Sequence, residues 1–124
     1  MNLKLLPETF TVCKVEDESQ IEFTGTYCFV GQTEDEISLV CPTADVPGFT
    51  EAREDGWRCF KIEGELDFSM IGVISHLSSI LAAEDLPLFV ISTFQTDYIF
   101  VKEDDLSKAL FVLEEENHKV KEEF

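Results

Sequence analysis

Basic residues are scarce in this sequence: nine Lys and Arg stand against 26 Asp and Glu over 124 residues, for a formal net charge of −17. Phosphate backbones are held by clustered Lys and Arg that release counterions. No such cluster is present, which excludes nucleic acid as a partner. The acids are spread through both halves, so neither half is an acidic tail. Glu34-Asp35-Glu36 and Glu103-Asp104-Asp105 lack the alternating carboxylates, central Gly and distal Glu of a calcium loop. They read as solvated faces or a helix start. Long apolar runs are missing too. None approaches the roughly 18 residues that span a bilayer, and Met1 to Glu8 has too short an apolar region for a signal peptide. The expectation is a soluble, cytoplasmic protein with no membrane partner.

Catalytic and metal signatures are equally thin. Cys13, Cys28, Cys41 and Cys59 form no C-x-x-C pair, so reduced, partly buried thiols are expected rather than zinc or dithiol chemistry. Two histidines add no metal site. His76 falls among serines on the polar side of an expected helix, and His118 lies in a charged terminal stretch; both read as surface residues. A Ser or Cys nucleophile needs a base within hydrogen-bond reach, and neither histidine is well placed to be one. The nucleophile elbow, phosphate loop, dinucleotide turn and zinc helix motifs are absent from the sequence. No cofactor, metal or catalytic residue is expected. An enzyme built on Asp97 or Cys59 is the least supported of the function classes.

What the sequence does have is apolar text: 44% hydrophobic residues, including 11 Phe, enough for one domain of ordinary size or two very small units sharing a core. Thr9 to Val15 reads as a strand. Tyr27 to Val30 and Ile37 to Cys41 flank a short polar loop and read as a hairpin. Pro42 to Gly56, with two Pro, two Gly and few apolar residues, reads as a connector. Trp57 to Ile62 resumes as a strand. From Met70 the apolar positions Met70, Val73, Ile74, Leu77, Ile80 and Leu81 follow a 3.6-residue period, which predicts a helix capped by Ser69 or Asp67 and ended before Pro87. Leu88 to Thr93 and Tyr98 to Val101 predict a second hairpin, and Asp104 to Glu116 a second helix. From Trp57 the order is strand, helix, strand, strand, helix, the ferredoxin-like order without its closing strand, which Thr9 to Val15 could supply. The fold class is therefore α+β, an antiparallel sheet backed by helices.

Two segments carry the candidate chemistry. In Ile91 to Val101, Ser92, Thr93, Thr96 and Asp97 punctuate an otherwise apolar hairpin. Their side chains can close a tight turn by bonding nearby backbone, or they can offer acceptors to an ammonium or guanidinium group. The residues before the helix, Ser69, Met70, Ile71, Gly72 and Val73, would present free backbone amides that can receive a carboxylate. Gly72 allows close backbone approach, although helix packing explains it equally well.

Ile62-Glu63-Gly64, Gly72-Val73-Ile74 through Leu81-Ala82, and above all Ile91-Ser92-Thr93-Phe94-Gln95-Thr96-Asp97-Tyr98-Ile99 resemble the small ACT-domain proteins related to the CASTOR-type arginine sensors and to aspartate kinase regulatory domains. Asp35 to Pro42 and Gly56 to Cys59 extend the resemblance over nearly the whole chain. The resemblance implies tandem ACT-like ferredoxin-like units (βαββαβ) sharing strands: residues 1–56 a degenerate unit with shortened helices, and 57–124 a complete unit finished by a strand from the first half. It implies a non-catalytic, regulatory protein that binds a small ligand, commonly a free amino acid, at an interface between units. The ligand residues carried across are Ser69, Met70, Ile71, Gly72, Val73, Ser92, Thr93, Phe94, Thr96 and Asp97. Arginine sensors carry twice as many units in one chain, so a homodimer is expected to restore the interface, with a further protein target in a sensing role. The alternative is a structural or interaction module that keeps the fold without the ligand.

Overall fold

The structure, a computed structural model, describes residues 1–23, 25–63 and 72–122. Its strands are β1 (Asn2–Leu5), β2 (Phe10–Val15), β3 (Phe29–Gln32), β4 (Ile37–Pro42), β5 (Ala52–Ile62), β6 (Leu88–Ser92), β7 (Asp97–Lys102) and β8 (Lys119–Glu122). The helices are α1 (Val73–Ala82) and α2 (Leu106–Glu115). This is the mixed α+β class read from the sequence, with an antiparallel-dominated sheet. Two units divide the chain: Glu8–Trp57, and Met1–Pro7 together with Arg58–Phe124.

In the unit Glu8–Trp57, β4 pairs with both β2 and β3, and β2 pairs with the first half of β5, all antiparallel, giving the order β3-β4-β2-β5. Where a ferredoxin-like unit has helices, single 3-10 turns stand instead, Glu18–Gln20 after β2 and Thr43–Asp45 after β4. The first is held by a capping box in which Asp17 accepts from the Ser19 amide and Gln20 reaches back. A small core of Cys13, Val15, Leu39 and Cys41, with Ile21, Cys28, Ile37 and Val46 packed against it, follows from the period-two alternation of β2 and β4. The connector expectation over residues 42–56 is corrected at its end. β5 begins at Ala52, and its first four residues are all exposed, so the stretch carries no apolar alternation to betray a strand. Gly56 sits at φ +85° where the β2–β5 register shifts between Phe10 and Val12, a bulge that glycine accommodates.

The other unit contains β1, the second half of β5, and everything from α1 onward. β6 and β7 form the expected hairpin, in register from Leu88 opposite Val101 to Ser92 opposite Asp97. β7 pairs with β5, β5 with β1 antiparallel, and β1 with β8 parallel. Two findings differ from the sequence reading. The closing strand is present as β8, whose Lys-Val-Lys-Glu sequence has one half-buried apolar residue and no readable pattern. The strand beside β5 here is β1, while Thr9 to Val15 forms β2 in the Glu8–Trp57 unit. From β5 to β8 the succession is βαββαβ with β1 inserted between first and last strands. One core gathers Leu3, Leu5, Phe60, Ile62, Leu77, Leu81, Ile99, Val101 and Leu113 from strands and helices, all at most 3% exposed.

Both helices end alike. Asp85 at φ 59° and Asn117 at φ 67° adopt the left-handed conformation, and the next amides, Leu86 and His118, reach back to the carbonyls of Leu81 and Leu113 at 3.3 and 3.0 Å. These are Schellman closures, whose following residue packs inward; Leu86 and His118 are accordingly 6% and 7% exposed. Asp and Asn tolerate this conformation at some strain. The exposed Asp85 replaced by glycine is expected to raise stability by about 0.5–1 kcal/mol, strain relief exceeding the added chain entropy. A shift of the urea midpoint at unchanged slope measures it.

Candidate functional site

The β6–β7 turn brings together the hydroxyls singled out in the sequence. The Thr93 amide donates to the Thr96 carbonyl at 2.9 Å, the Thr93 hydroxyl donates to the same carbonyl at 3.0 Å, and Thr93 Oγ1 accepts from the Thr96 amide at 3.4 Å. Thr96, 4% exposed, donates its own hydroxyl to the Ile62 carbonyl at 2.9 Å. The turn is thereby tied to the end of β5, and Thr93 and Thr96 take the turn-closing role. Ser92 is exposed, Asp97 half-buried at the start of β7, and Phe94 80% exposed at the tip. On the β5–β7 pair, the Lys61 ammonium lies 6.0 Å from the Tyr98 ring centroid, a cation–π distance, and burial raises the Tyr98 pKa.

Of the segment before α1, Ser69, Met70 and Ile71 lie outside the described residues, as does the expected cap Asp67. The N-cap of α1 is Gly72, at φ +84°, with no side chain to cap the helix, while Val73 is half-buried against the core. The Gly72 carbonyl accepts the first helical bond from the His76 amide at 2.8 Å. A positive φ here requires glycine, and among the described residues no side chain caps α1, whose amino end carries the positive pole of its dipole.

His118 is where the sequence reading fails. It is buried, 7% exposed, with Nε2 3.3 Å from Nε2 of His76 and Nδ1 3.1 Å from the Met1 amino group. Its charged neighbourhood hides the signal in the sequence, because the helix closure turns it inward. Burial first, then the Met1 amino group and the His76 ring, hold its pKa below the ordinary value. A base with a depressed folded pKa refuses a proton that the unfolded chain accepts. Stability is therefore fully present above the unfolded pKa of about 6.5 and falls as pH drops through it toward the folded value. Urea midpoints of the parent are expected to decline below pH 6.5 more steeply than those of His118→Gln; parallel declines refute this.

The thiols do not form a reactive centre. Burial raises the pKa of Cys13 and Cys28 and pushes Cys41 up to about 12, so at neutral pH they are thiols rather than thiolates. Cys59 is fully buried, out of reach of a substrate. A different carboxylate is well organised: Asp55 accepts from the buried Thr11 at 2.6 Å and from Arg53 Nη2 at 2.8 Å, and these bonds lower its pKa. Thr11 also meets Thr43 at 2.9 Å, so the group ties β2, β5 and the turn after β4. Among the described residues no group of three His, Cys, Asp or Glu could hold a metal ion, and no helix is long and apolar enough to cross a membrane.

The ACT-domain family model matches residues 52–115. Over 66 residues, 52% of this chain, the sequence is 33% identical to the cytosolic arginine sensor for mTORC1, subunit 1, of Rattus norvegicus, of which the match spans 20%. The chain thus covers about a fifth of that curated relative. A solved Agrobacterium tumefaciens protein superposes with a TM-score of 0.87 at 28% identity, over 99% of this chain and 93% of that one. A structure of aspartokinase α and β subunits superposes with a TM-score of 0.67 at 12% identity, over 93% and 96% of the two chains; at that identity the likeness is one of fold.

Proposed function

From the premise that this chain belongs to the ACT-domain family, we propose that it is a non-catalytic, cytoplasmic regulatory protein that reversibly binds a free amino acid. The observation that carries the reading is the Thr96–Ile62 bond at 2.9 Å. It holds the β6–β7 turn at the end of β5, from which the chain runs on toward the uncapped α1. On this reading one unit offers two complementary parts: helix amides at Gly72 and Val73 for a carboxylate, and Asp97 with Ser92 for a cationic group. Ser69, Met70 and Ile71 would complete the amide side, and Phe94 would pack on the ligand. The Met1–Pro7 and Arg58–Phe124 unit is read as a complete ACT unit, and Glu8–Trp57 as a degenerate one with its helices reduced to single turns. A homodimer would place two complete units together, and a protein target would receive the ligand state.

Thermal unfolding of the full chain against free amino acids at millimolar concentration tests this. A ligand that binds only the native state stabilises it by about 2.7 kcal/mol at a hundredfold excess over Kd, and the expected result is a shift confined to one or a few amino acids. Asp97→Ala is expected to abolish that shift while the unliganded midpoint stays put. A flat panel with a folded protein would overturn the reading. It would favour the alternative of an interaction module, to which the turn-closing bonds of Thr93 and Thr96 already lend support.

A further inference from the structure

A groove separate from the hairpin lies wholly within the Glu8–Trp57 unit, where the helices of the fold are shortened to single turns. It has a volume of about 450 Å³ and runs between Ser19, Gln20 and Glu22 on one side and residues 44–48 on the other. That size suits a small organic group rather than a bare ion. The groove is braced rather than collapsed. Gln20 Oε1 accepts the amides of Glu16 and Asp17 at 3.0 and 3.1 Å, while its Nε2 donates to the Phe49 carbonyl at 3.0 Å, bridging the two walls. Glu22 and Asp45 are the charged residues of the lining, with no cation among them, and Ala44, Val46 and Pro47 supply an apolar stretch. Next to the groove in sequence, Phe23 and Phe49 stand 72% and 61% exposed. The core makes no use of these two rings, and their faces can receive a cation.

The geometry points to a binding site for an organic cation, an alkylguanidinium or alkylammonium group whose charge meets Glu22 and Asp45 and whose stem lies along Ala44, Val46 and Pro47. The backbone of Gly25 guards Asp45: a Cβ built at Gly25 would lie 2.5 Å from Asp45 Oδ2, so any side chain there displaces the carboxylate. The site shares no residue with the amino-acid reading of the hairpin, and either can hold without the other.

Amide chemical-shift titration of the full chain with n-butylguanidinium, at constant ionic strength, tests the site against its neutral isostere n-butylurea. The expected result is saturable shifts concentrated at residues 19–22 and 44–48 with the cation alone. Glu22→Gln and Asp45→Asn are each expected to weaken binding about fivefold, the scale of an exposed ion pair. Gly25→Ala should weaken it with every charge retained, which bulk attraction to an acidic protein would not do. A capped Gly-Arg-Gly peptide separates the sources: saturation by the peptide assigns the groove to a side chain of a protein partner, and saturation by the free cation alone assigns it to a small molecule. Equal shifts from n-butylurea, unsaturable shifts spread over the acidic surface, or unchanged affinity in all three variants would overturn the proposal. Each variant's own spectrum reports whether it is folded.

Discussion

Phe60→Ala is expected to lower stability by about 3–5 kcal/mol, the usual range for truncating a buried aromatic. Phe60 is fully buried on β5, opposite Leu5 of β1, in one apolar cluster with Leu77 and Leu81 of α1 and Leu113 of α2. The cluster joins strands to helices, and these partners come from three further elements whose backbones cannot all move inward to fill the space. With domain stabilities of about 5–15 kcal/mol, such a loss is about a fifth of the total or more. Phe60→Leu, which keeps most of the volume, is expected to lose under about 1.5 kcal/mol. Trp57 fluorescence belongs to the other unit, so the loss is best read from far-ultraviolet circular dichroism in urea, together with hydrogen exchange of the α1 and α2 amides. A loss under about 1 kcal/mol for the alanine variant would mean that the cluster repacks and that this account of the core is wrong.

The elements that Phe60 joins were legible because their patterns are strong. Val73, Ile74, Leu77, Ile80 and Leu81 recur at helical spacing, and Leu88 to Ser92 and Tyr98 to Val101 are β-branched and aromatic. What escaped was made of short or polar segments. β1 and β8 have four residues each, the shortest run over which alternation can be counted. The first four residues of β5 are exposed, three of them charged, and they hold their place through backbone pairing with β2 and through the Thr11–Asp55–Arg53 bonds. No periodicity announces pairing of that kind, since it is long-range and main-chain. The single 3-10 turns at Glu18–Gln20 and Thr43–Asp45 are three residues each, too short to carry a helical period.

The candidate site was legible as composition and not as geometry. Ser92, Thr93, Thr96 and Asp97 stood out in an apolar hairpin, and the sequence left turn closure and ligand binding as equal readings. The hydrogen bonds of Thr93 and Thr96 close the turn, while Ser92 is exposed and Asp97 half-buried, a division that depends on which face each residue of a tight turn presents. His118 was misplaced for a related reason. Its burial follows from the left-handed Asn117 before it, a backbone feature that a charged stretch of sequence conceals.

Thr96→Val is the sharpest probe of that division, with an expected loss of about 1–3 kcal/mol. Valine keeps the shape and the methyl group, so packing changes little. The hydroxyl that donates to the Ile62 carbonyl at 2.9 Å in a buried setting is removed, and at a position 4% exposed the carbonyl it leaves has little access to solvent. Thr96→Ser provides the opposite cut, retaining the donor and losing a buried methyl, at about 1 kcal/mol. Valine is therefore expected to be the worse substitution, although the more apolar one. Urea denaturation measures both losses, and exchange of the amides of the β6–β7 hairpin localises them, because a turn released from β5 opens before the rest of its unit. A valine variant as stable as the parent would mean that the bond does not anchor the turn. It would also remove the observation that carries the amino-acid reading of the hairpin.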